Sequence, residues 1–341
     1  MREWHGSRRY EIGGPAAPAS PGYHVLARPG ALREILERET PHVIELGSIY
    51  MAPWVLRAAA VGMRIPQVGF FHMDLVGAAV RTLGRAWPAP FRSATQLSLS
   101  AYLRAAYSGC WSVAGASHAA LQAIQAAGIR RPRFAPFGVD LTTFRPEAAD
   151  SCWKREVGAA DRPVALYVGR LTIEKNLRVV IDALPELHRR LGLKLVLIGD
   201  GGWRSRLEEM AAQEPAMLAV LPYETDRVRL ARAYASADLY IAPSPHETFG
   251  FSALEAAACG LPIVGANAGA LAERLAAVPW GRTFEASSPD ALREAVEAML
   301  GPDAPAVRKA ARAAACGFGW DRTFTTLLAV YREAMSGTPG S

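Results

Sequence analysis

The chain has 341 residues, 50% of them hydrophobic and 21% charged, which is too long for one ordinary core and suits two domains of a globular protein. It contains no apolar run long enough for a transmembrane helix and no signal-peptide core at its polar N-terminus. Its four cysteines (Cys110, Cys152, Cys259, Cys316) lack CxxC spacing, which argues against a disulfide framework or zinc site and for a reducing cytoplasm.

The net charge of +6 is unevenly spread: residues 1–140 hold 15 Arg, no Lys and 8 acids, a balance of +7, and the rest of the chain sums to −1. Between Asp74 and Asp140 there is no Asp or Glu, while Arg81, Arg85, Arg92, Arg104, Arg130, Arg131 and Arg133 are interleaved with Trp87, Phe91, Tyr102, Tyr107 and Trp111. Such a stretch suits an anionic membrane surface or an anionic acceptor, and equally a solvated helical face. No nucleic-acid recognition motif accompanies the basic character, so nucleic-acid binding is not expected.

Residues 1–23 are rich in Gly, Pro and Ser and read as a loop. Ala31–Glu39 has helical spacing, His42–Leu46 is a short buried strand, Ala52–Val61 a helix and Pro66–His72 a second strand. A mostly helical section leads to Trp111–Ser117, a strand running into a loop. A helix over Ala119–Ala127 ends at Gly128, a favourable C-cap residue, and Arg133–Asp140 closes this half. After a linker at Leu141–Ala149 the rhythm becomes cleaner. Strands are expected at Val164–Leu171, Leu193–Gly201, Asp238–Ser244 and Leu261–Asn267. Helices are expected over Asn176–Leu187, Arg204–Ala212, Arg229–Ala237, Phe249–Gly260 and Phe324–Ala334. Alternating helices and short apolar strands imply parallel sheets with crossover helices, hence an α/β fold of two doubly wound, Rossmann-like domains facing across a cleft. The expected division is 1–140, 141–315 and a C-terminal helix in 316–341 that packs back on the N-terminal domain. Ligands in such sheets bind beyond the C-terminal strand ends.

Three segments carry chemistry. In Ser244–Pro262, Glu247 sits in the loop after a strand and Glu255 inside the next helix, with the amides of Gly250, Phe251 and Ser252 between them. A helix N-terminus with a glycine in its first turn suits a phosphate, and a carboxylate on either side suits sugar or ribose hydroxyls. In Gly169–Asn176, Gly169 permits close backbone approach, and Arg170 and Lys175 supply two cations that could neutralise a leaving diphosphate without a metal. Ile198–Gly201 is a strand-end turn in which Gly199 gives a ligand room. Neither GxGxxG nor GxxxxGK[ST] is present, so a dinucleotide fingerprint and a P-loop are both excluded.

Taken in order, HVIEL, FHMD (Phe71–Asp74), FGVD with Phe144–Pro146, GRLTIEKN, IGDG, ETFGFSALEAAACGLPIV and the terminal Trp320–Arg322 helix resemble the GT-B glycosyltransferases of retaining family 4, over roughly residues 25 to 335. The FHMD segment is similar to the mannosyl- and sulfoquinovosyl-transferase branch. The resemblance implies a retaining hexosyltransferase that uses a GDP- or UDP-hexose, needs no metal or other cofactor, and acts on a lipid, glycan or small-molecule acceptor. It implies a cytoplasmic protein, with peripheral contact at the inner membrane face as an added expectation. Arg170 and Lys175 match the basic pair on the donor diphosphate, Glu247 the carboxylate on the sugar hydroxyls, and Glu255 the one on the ribose. Gly250, Phe251 and Ser252 match the backbone that meets sugar and phosphate, and His72 a histidine facing the donor sugar across the cleft. Family members open with a strand and a Gly-rich loop. Here HVIEL corresponds to a later strand and no apolar strand precedes Gly13–Gly14, so the N-terminal domain is expected to lack its first strand. Two alternatives follow: a truncated paralogue that binds nucleotide-sugar without turnover, and a nucleotide-sugar epimerase of similar shape, against which the Glu247–Glu255 spacing argues.

Overall fold

The computed structural model describes residues 2–4, 6–16, 24–72, 88–276, 278–301 and 303–337; Asp74, Arg81, Arg85 and Trp87 lie outside the described residues. The chain divides into two compact units, one comprising Met1–Ala116, Ala120–Ala135 and Thr326–Ser341, the other Ser117–Ala119 and Pro136–Thr325.

The chain begins with an antiparallel pair, β1 (Arg2–Trp4) and β2 (Ser7–Arg9), where the sequence reads as a loop. Strands of three residues are too short to show a period, and the reversal rests on Gly6 at φ 75°. Next come α1 (Pro29–Glu39), β3 (Ile44–Leu46), α2 (Ala52–Ala59), β4 (Gln67–Phe71), α3 (Ala89–Ala106), β5 (Ser112–Gly115), α4 (His118–Ala126) and β6 (Pro132–Phe134). Strands β3, β4, β5 and β6 pair in that order, all parallel. Their core joins Leu36 of α1, Leu56 of α2, Leu103 of α3 and Ile124 of α4 to Phe71 and Val113 of the sheet. Gly69 in β4 is required by packing, since a Cβ there would lie 2.6 Å from the ring of Tyr107.

The second unit continues with α5 (Trp153–Glu156), β7 (Val164–Val168), α6 (Leu177–Leu191), β8 (Lys194–Ile198), α7 (Arg204–Gln213), β9 (Leu218–Leu221), α8 (Arg227–Ser236) and β10 (Leu239–Ala242). It ends with α9 (Phe251–Ala258), β11 (Ile263–Ala266), α10 (Gly269–Leu275), β12 (Gly281–Phe284), α11 (Pro289–Met299), α12 (Ala304–Ala315) and the start of α13 (Trp320–Ser336). The six strands are all parallel in the order β12-β11-β10-β7-β8-β9. A parallel sheet covered on both faces needs uninterrupted apolar strands, and β8, β10 and β11 are buried throughout. On the first unit's sheet, Val330 and Ala334 of α13 pack against Val68.

The segment after Asp140 is held firmly. The Asp140 carboxylate accepts from the amides of Thr142 (3.0 Å) and Thr143 (3.1 Å). Burial works against its ionisation, but the Thr142 hydroxyl, which donates to it at 2.6 Å, together with these amides holds it down to about 2. Arg312 of α12 donates to the carbonyls of Phe144 (2.8 Å), Ala258 (2.9 Å) and Leu141 (3.2 Å). Replacing Arg312 with Ala strands three carbonyls at once and is expected to lower stability by about 2–4 kcal/mol. A urea-unfolding midpoint unchanged from wild type would show that water replaces the guanidinium at no cost.

Candidate functional site

The strand order places a topological switch in the second unit. From β7 the chain winds outward to β8 and β9, and β10 returns to the other side of β7. The helical crossovers on either side of β7 therefore diverge, which leaves a crevice at the carboxyl ends of β7 and β10. A cavity of about 210 Å³ opens there, lined by Tyr167–Arg170 and Lys175 from the β7 side and by Tyr240, Ala242–Ser244, Glu247 and Gly250–Ala253 from the β10 side.

The loop after β7 is fastened to the end of β8. Gly169 N–H donates to Ile198 O (3.0 Å), Leu171 N–H to Asp200 O (2.8 Å) and Trp203 N–H to Leu171 O (2.8 Å). The close fit explains the glycines: a Cβ on Gly199 would lie 1.9 Å from the Gly169 carbonyl oxygen, and one on Gly201 2.5 Å from that of Leu171. The room that Gly199 leaves is filled by this neighbouring loop, and Gly199 does not line the cavity. Tyr167 donates to Arg170 O (2.8 Å) and Tyr240 to Val168 O (3.1 Å), and burial pushes both phenols up, so both remain neutral donors.

The loop ends at Asn176, whose backbone is left-handed (φ 57°). Its side-chain amide donates to Pro243 O (3.1 Å) and Ala286 O (2.8 Å), tying the Lys175 segment to the end of β10. Lys175 Nζ then lies 3.0 Å from Glu247 Oε2, with both side chains mostly covered. Arg170 pairs with Glu174 at 3.0 Å on the rim and is 68% exposed, so of the two predicted cations Lys175 is the one held inside.

Glu247 is gripped through its backbone. Ala270 N–H donates to Glu247 O (2.9 Å), and Gly269, at φ 64°, comes so near that a Cβ would lie 2.6 Å from the same oxygen. Gly250 (φ 82°) supplies a left-handed N-cap without a capping side chain, so the first-turn residues of α9, which line the cavity, carry amides with no intrahelical acceptor. Ser252 lies against the buried phenols of Tyr234 and Tyr240.

Glu255, one turn along α9, is 9% exposed and stands behind the cavity rather than on its wall. It accepts from Arg227 Nη2 (2.6 Å) and Tyr234 OH (3.2 Å). Burial raises its pKa, against the opposing pull of Arg227 and Tyr234. Arg227 also stacks over Phe144 at 4.6 Å. Below the Glu247 loop, Phe137, Phe249 and Phe251 form an aromatic cluster with centroids 4.6–5.2 Å apart. The Arg274 guanidinium lies 4.5 Å over Phe249, and burial lowers its pKa to about 10.

The structure therefore brings Gly169, Arg170, Lys175, Glu247, Gly250, Phe251 and Ser252 to one cavity, with Glu255 and Gly199 behind it. His72 immediately follows β4 in the other unit and is exposed. Asn176, Tyr234, Tyr240, Arg227 and Arg274 carry no assigned role in the sequence reading. Asn176 was legible as a polar residue at a helix start, but the others act through tertiary contacts. Among the described residues no group of three or more His, Cys, Asp or Glu is placed to hold a metal, and no helix is long and apolar enough to cross a membrane. The arrangement offers a cation and helix amides to phosphate oxygens beside a carboxylate that accepts hydrogen bonds from hydroxyls.

Residues 153–315 match the family of glycosyl transferases group 1. A GDP-mannose-dependent alpha-(1-6)-phosphatidylinositol dimannoside mannosyltransferase of Mycobacterium tuberculosis is 35% identical over 195 residues, covering 57% of this chain and 50% of the relative. The chain thus spans about half the length of the curated relatives it matches. Among solved structures, sucrose-phosphate synthase from Thermosynechococcus elongatus superposes with a TM-score of 0.75 at 19% identity, covering 94% of this chain and 83% of that one. HepE of Anabaena, solved with UDP and glucose, gives 0.69 at 21% identity, with 89% and 80% covered. These likenesses establish the two-domain α/β fold of the GT-B type.

Proposed function

We propose that this chain, whose residues 153–315 match the family of glycosyl transferases group 1, moves a hexose from a nucleotide-sugar to an acceptor with retention of configuration and without a metal. The observation that carries this reading is the Lys175–Glu247 pair, 3.0 Å apart at the start of α9 on the switch-point crevice. One partner suits a diphosphate and the other the hydroxyls of the sugar attached to it, so a single ligand with both groups satisfies the pair. In this reading Lys175, Arg170 and the amides of Gly250–Ser252 take up the charge that develops on the leaving diphosphate. Glu247 orients the sugar, and Glu255, from behind the cavity beside Arg227, meets the ribose; His72 is a further candidate on the first unit. The leaving phosphate assists removal of the acceptor's proton, so charge stabilisation matters more than a protein base.

The donor is a GDP- or UDP-hexose: the mycobacterial relative is named as GDP-mannose-dependent, and HepE was solved with UDP. The acceptor is a lipid, a glycan or a small molecule. The arginine-rich, acid-free stretch suits peripheral contact with an anionic membrane face from the cytoplasmic side.

The test is a donor screen by saturation-transfer NMR with product detection, on wild type and Glu247→Ala. GDP-mannose or a UDP-hexose is expected to bind and turn over in wild type, with turnover persisting in EDTA. If no nucleotide-sugar binds, the reading fails. If donors bind without turnover, the chain is a nucleotide-sugar binder rather than an enzyme. If EDTA abolishes turnover, the metal-independent part is wrong.

A further inference from the structure

The first unit has its own cavity, of about 520 Å³, at the opposite end of its sheet from His72. Its walls come from the end of α3 (Arg104) and the turn that follows it (Tyr107, Ser108), from Cys110 and Trp111 entering β5, and from Gly128–Arg131 entering β6. These are the amino ends of parallel strands, whereas His72 follows the carboxyl end of β4. Substrate crevices of doubly wound sheets form at the carboxyl ends, so this cavity is a separate feature.

Its charge is one-sided. Arg104, Arg130 and Arg131 line it, and among the described residues none of them forms an ion pair with a carboxylate. Arg104 Nε donates to Ala127 O (3.2 Å), which fixes the guanidinium plane and leaves both Nη groups for another acceptor. The Arg131 guanidinium lies 4.7 Å over the Trp111 ring, on a residue held at φ 52°. Arg133 provides the contrast: it lies 5.9 Å from the same ring and is neutralised by Glu333 at 2.9 Å. Burial pushes the Cys110 thiol up to about 12 and the Tyr107 phenol higher still, so neither adds a negative charge. The acid-free run from residue 75 to residue 139 supplies all three of these cations, and no Asp or Glu is among the residues described as lining the cavity. Such a wall focuses positive potential into the cavity.

We propose that this cavity is a second anion site, which binds a small molecule carrying a diphosphate or several phosphate groups. A single carboxylate would leave two guanidiniums uncompensated, whereas several phosphate oxygens match three planar donor forks. The volume is that of a nucleotide-sized ligand. The inference does not depend on the donor chemistry proposed for the other unit.

The test is calorimetric titration of the full chain with inorganic pyrophosphate, in a Lys175→Ala background that removes the central cation of the other cavity. One site is expected to remain. It should weaken at least about tenfold in Arg131→Ala and further in Arg104→Ala/Arg131→Ala, since each lost guanidinium removes charge-assisted bonds. Arg131 is exposed, so its single variant keeps the fold, and an unchanged melting temperature checks this for both. Pyrophosphate should change tryptophan emission in wild type, and Trp111→Phe should remove most of that change; a change that persists in Trp111→Phe places the bound anion elsewhere. Unchanged pyrophosphate affinity in the arginine variants overturns the proposal, as does absence of binding in the Lys175→Ala background. A third arm uses phosphatidylglycerol vesicles. If the arginine variants lose vesicle co-sedimentation while pyrophosphate never binds, the arginines serve a lipid surface and the small-molecule site is wrong.

Discussion

Glu247→Gln is expected to lower kcat for transfer by about a thousandfold, close to 4 kcal/mol of lost transition-state stabilisation, while the melting temperature stays near that of wild type. Gln keeps the size of the side chain and the backbone grip by Ala270 and Gly269, so the loop has no reason to move. What is lost is the negative charge 3.0 Å from Lys175 and an acceptor for hydroxyls that strengthens as positive charge develops on the sugar. Lys175→Ala is expected to cost a similar amount, but with a larger share in donor KM, because its partner on the ligand is the diphosphate present from the start. The double variant should be little worse than either single one, since the two side chains form one contact. Full activity in Glu247→Gln would remove this carboxylate from the mechanism. Additive losses would show that the two residues serve the ligand separately.

The second large effect is on stability. Gly199→Ala is expected to cost about 3 kcal/mol or more, because overpacking against backbone cannot be relieved by a rotamer change. The new methyl group would lie 1.9 Å from the Gly169 carbonyl oxygen, and relief requires parting the β7 and β8 loops. Those loops also position Arg170 and Lys175, so donor affinity should fall along with stability. Gly202→Ala is the control, since nothing lies within 4 Å of a Cβ there. Urea unfolding of the two variants makes the comparison, and equal midpoints would mean that the loops part easily.

These two variants also mark how far sequence reasoning reaches. Lys175 and Glu247 are legible because each is fixed by local features: a loop after an apolar strand and a helix start with a glycine. The strand rhythm from Val164 to Asn267 is legible for the same reason, since buried parallel strands are written as continuous apolar runs. Gly199 is legible as a turn glycine, but what occupies the space beside it is a loop thirty residues earlier, and no local pattern encodes that. Glu255 is similar. Its position on α9 follows from spacing, whereas Arg227 and Tyr234 reach it from α8 and come into view only with the fold. Strand β12 (GRTF) is short and only its last residue is buried, so its alternation is hidden. The start of α11 could have been found: Ser288 caps the Ala291 amide directly before Pro289, a local signal of a helix start.

The Lys175–Glu247 contact has a consequence for the order of events on the proposed cycle. A ligand that offers only phosphate draws Lys175 away and leaves the carboxylate without a counter-charge in a partly covered site. A ligand that also brings hydroxyls answers both groups together. The pair therefore penalises a bare nucleoside diphosphate relative to the intact nucleotide-sugar, and once the sugar has gone the recovered contact competes with the spent nucleotide for the lysine. A fold that held the cation and the carboxylate apart would bind product as readily as donor; if the proposed transfer holds, re-forming this ion pair would favour product release.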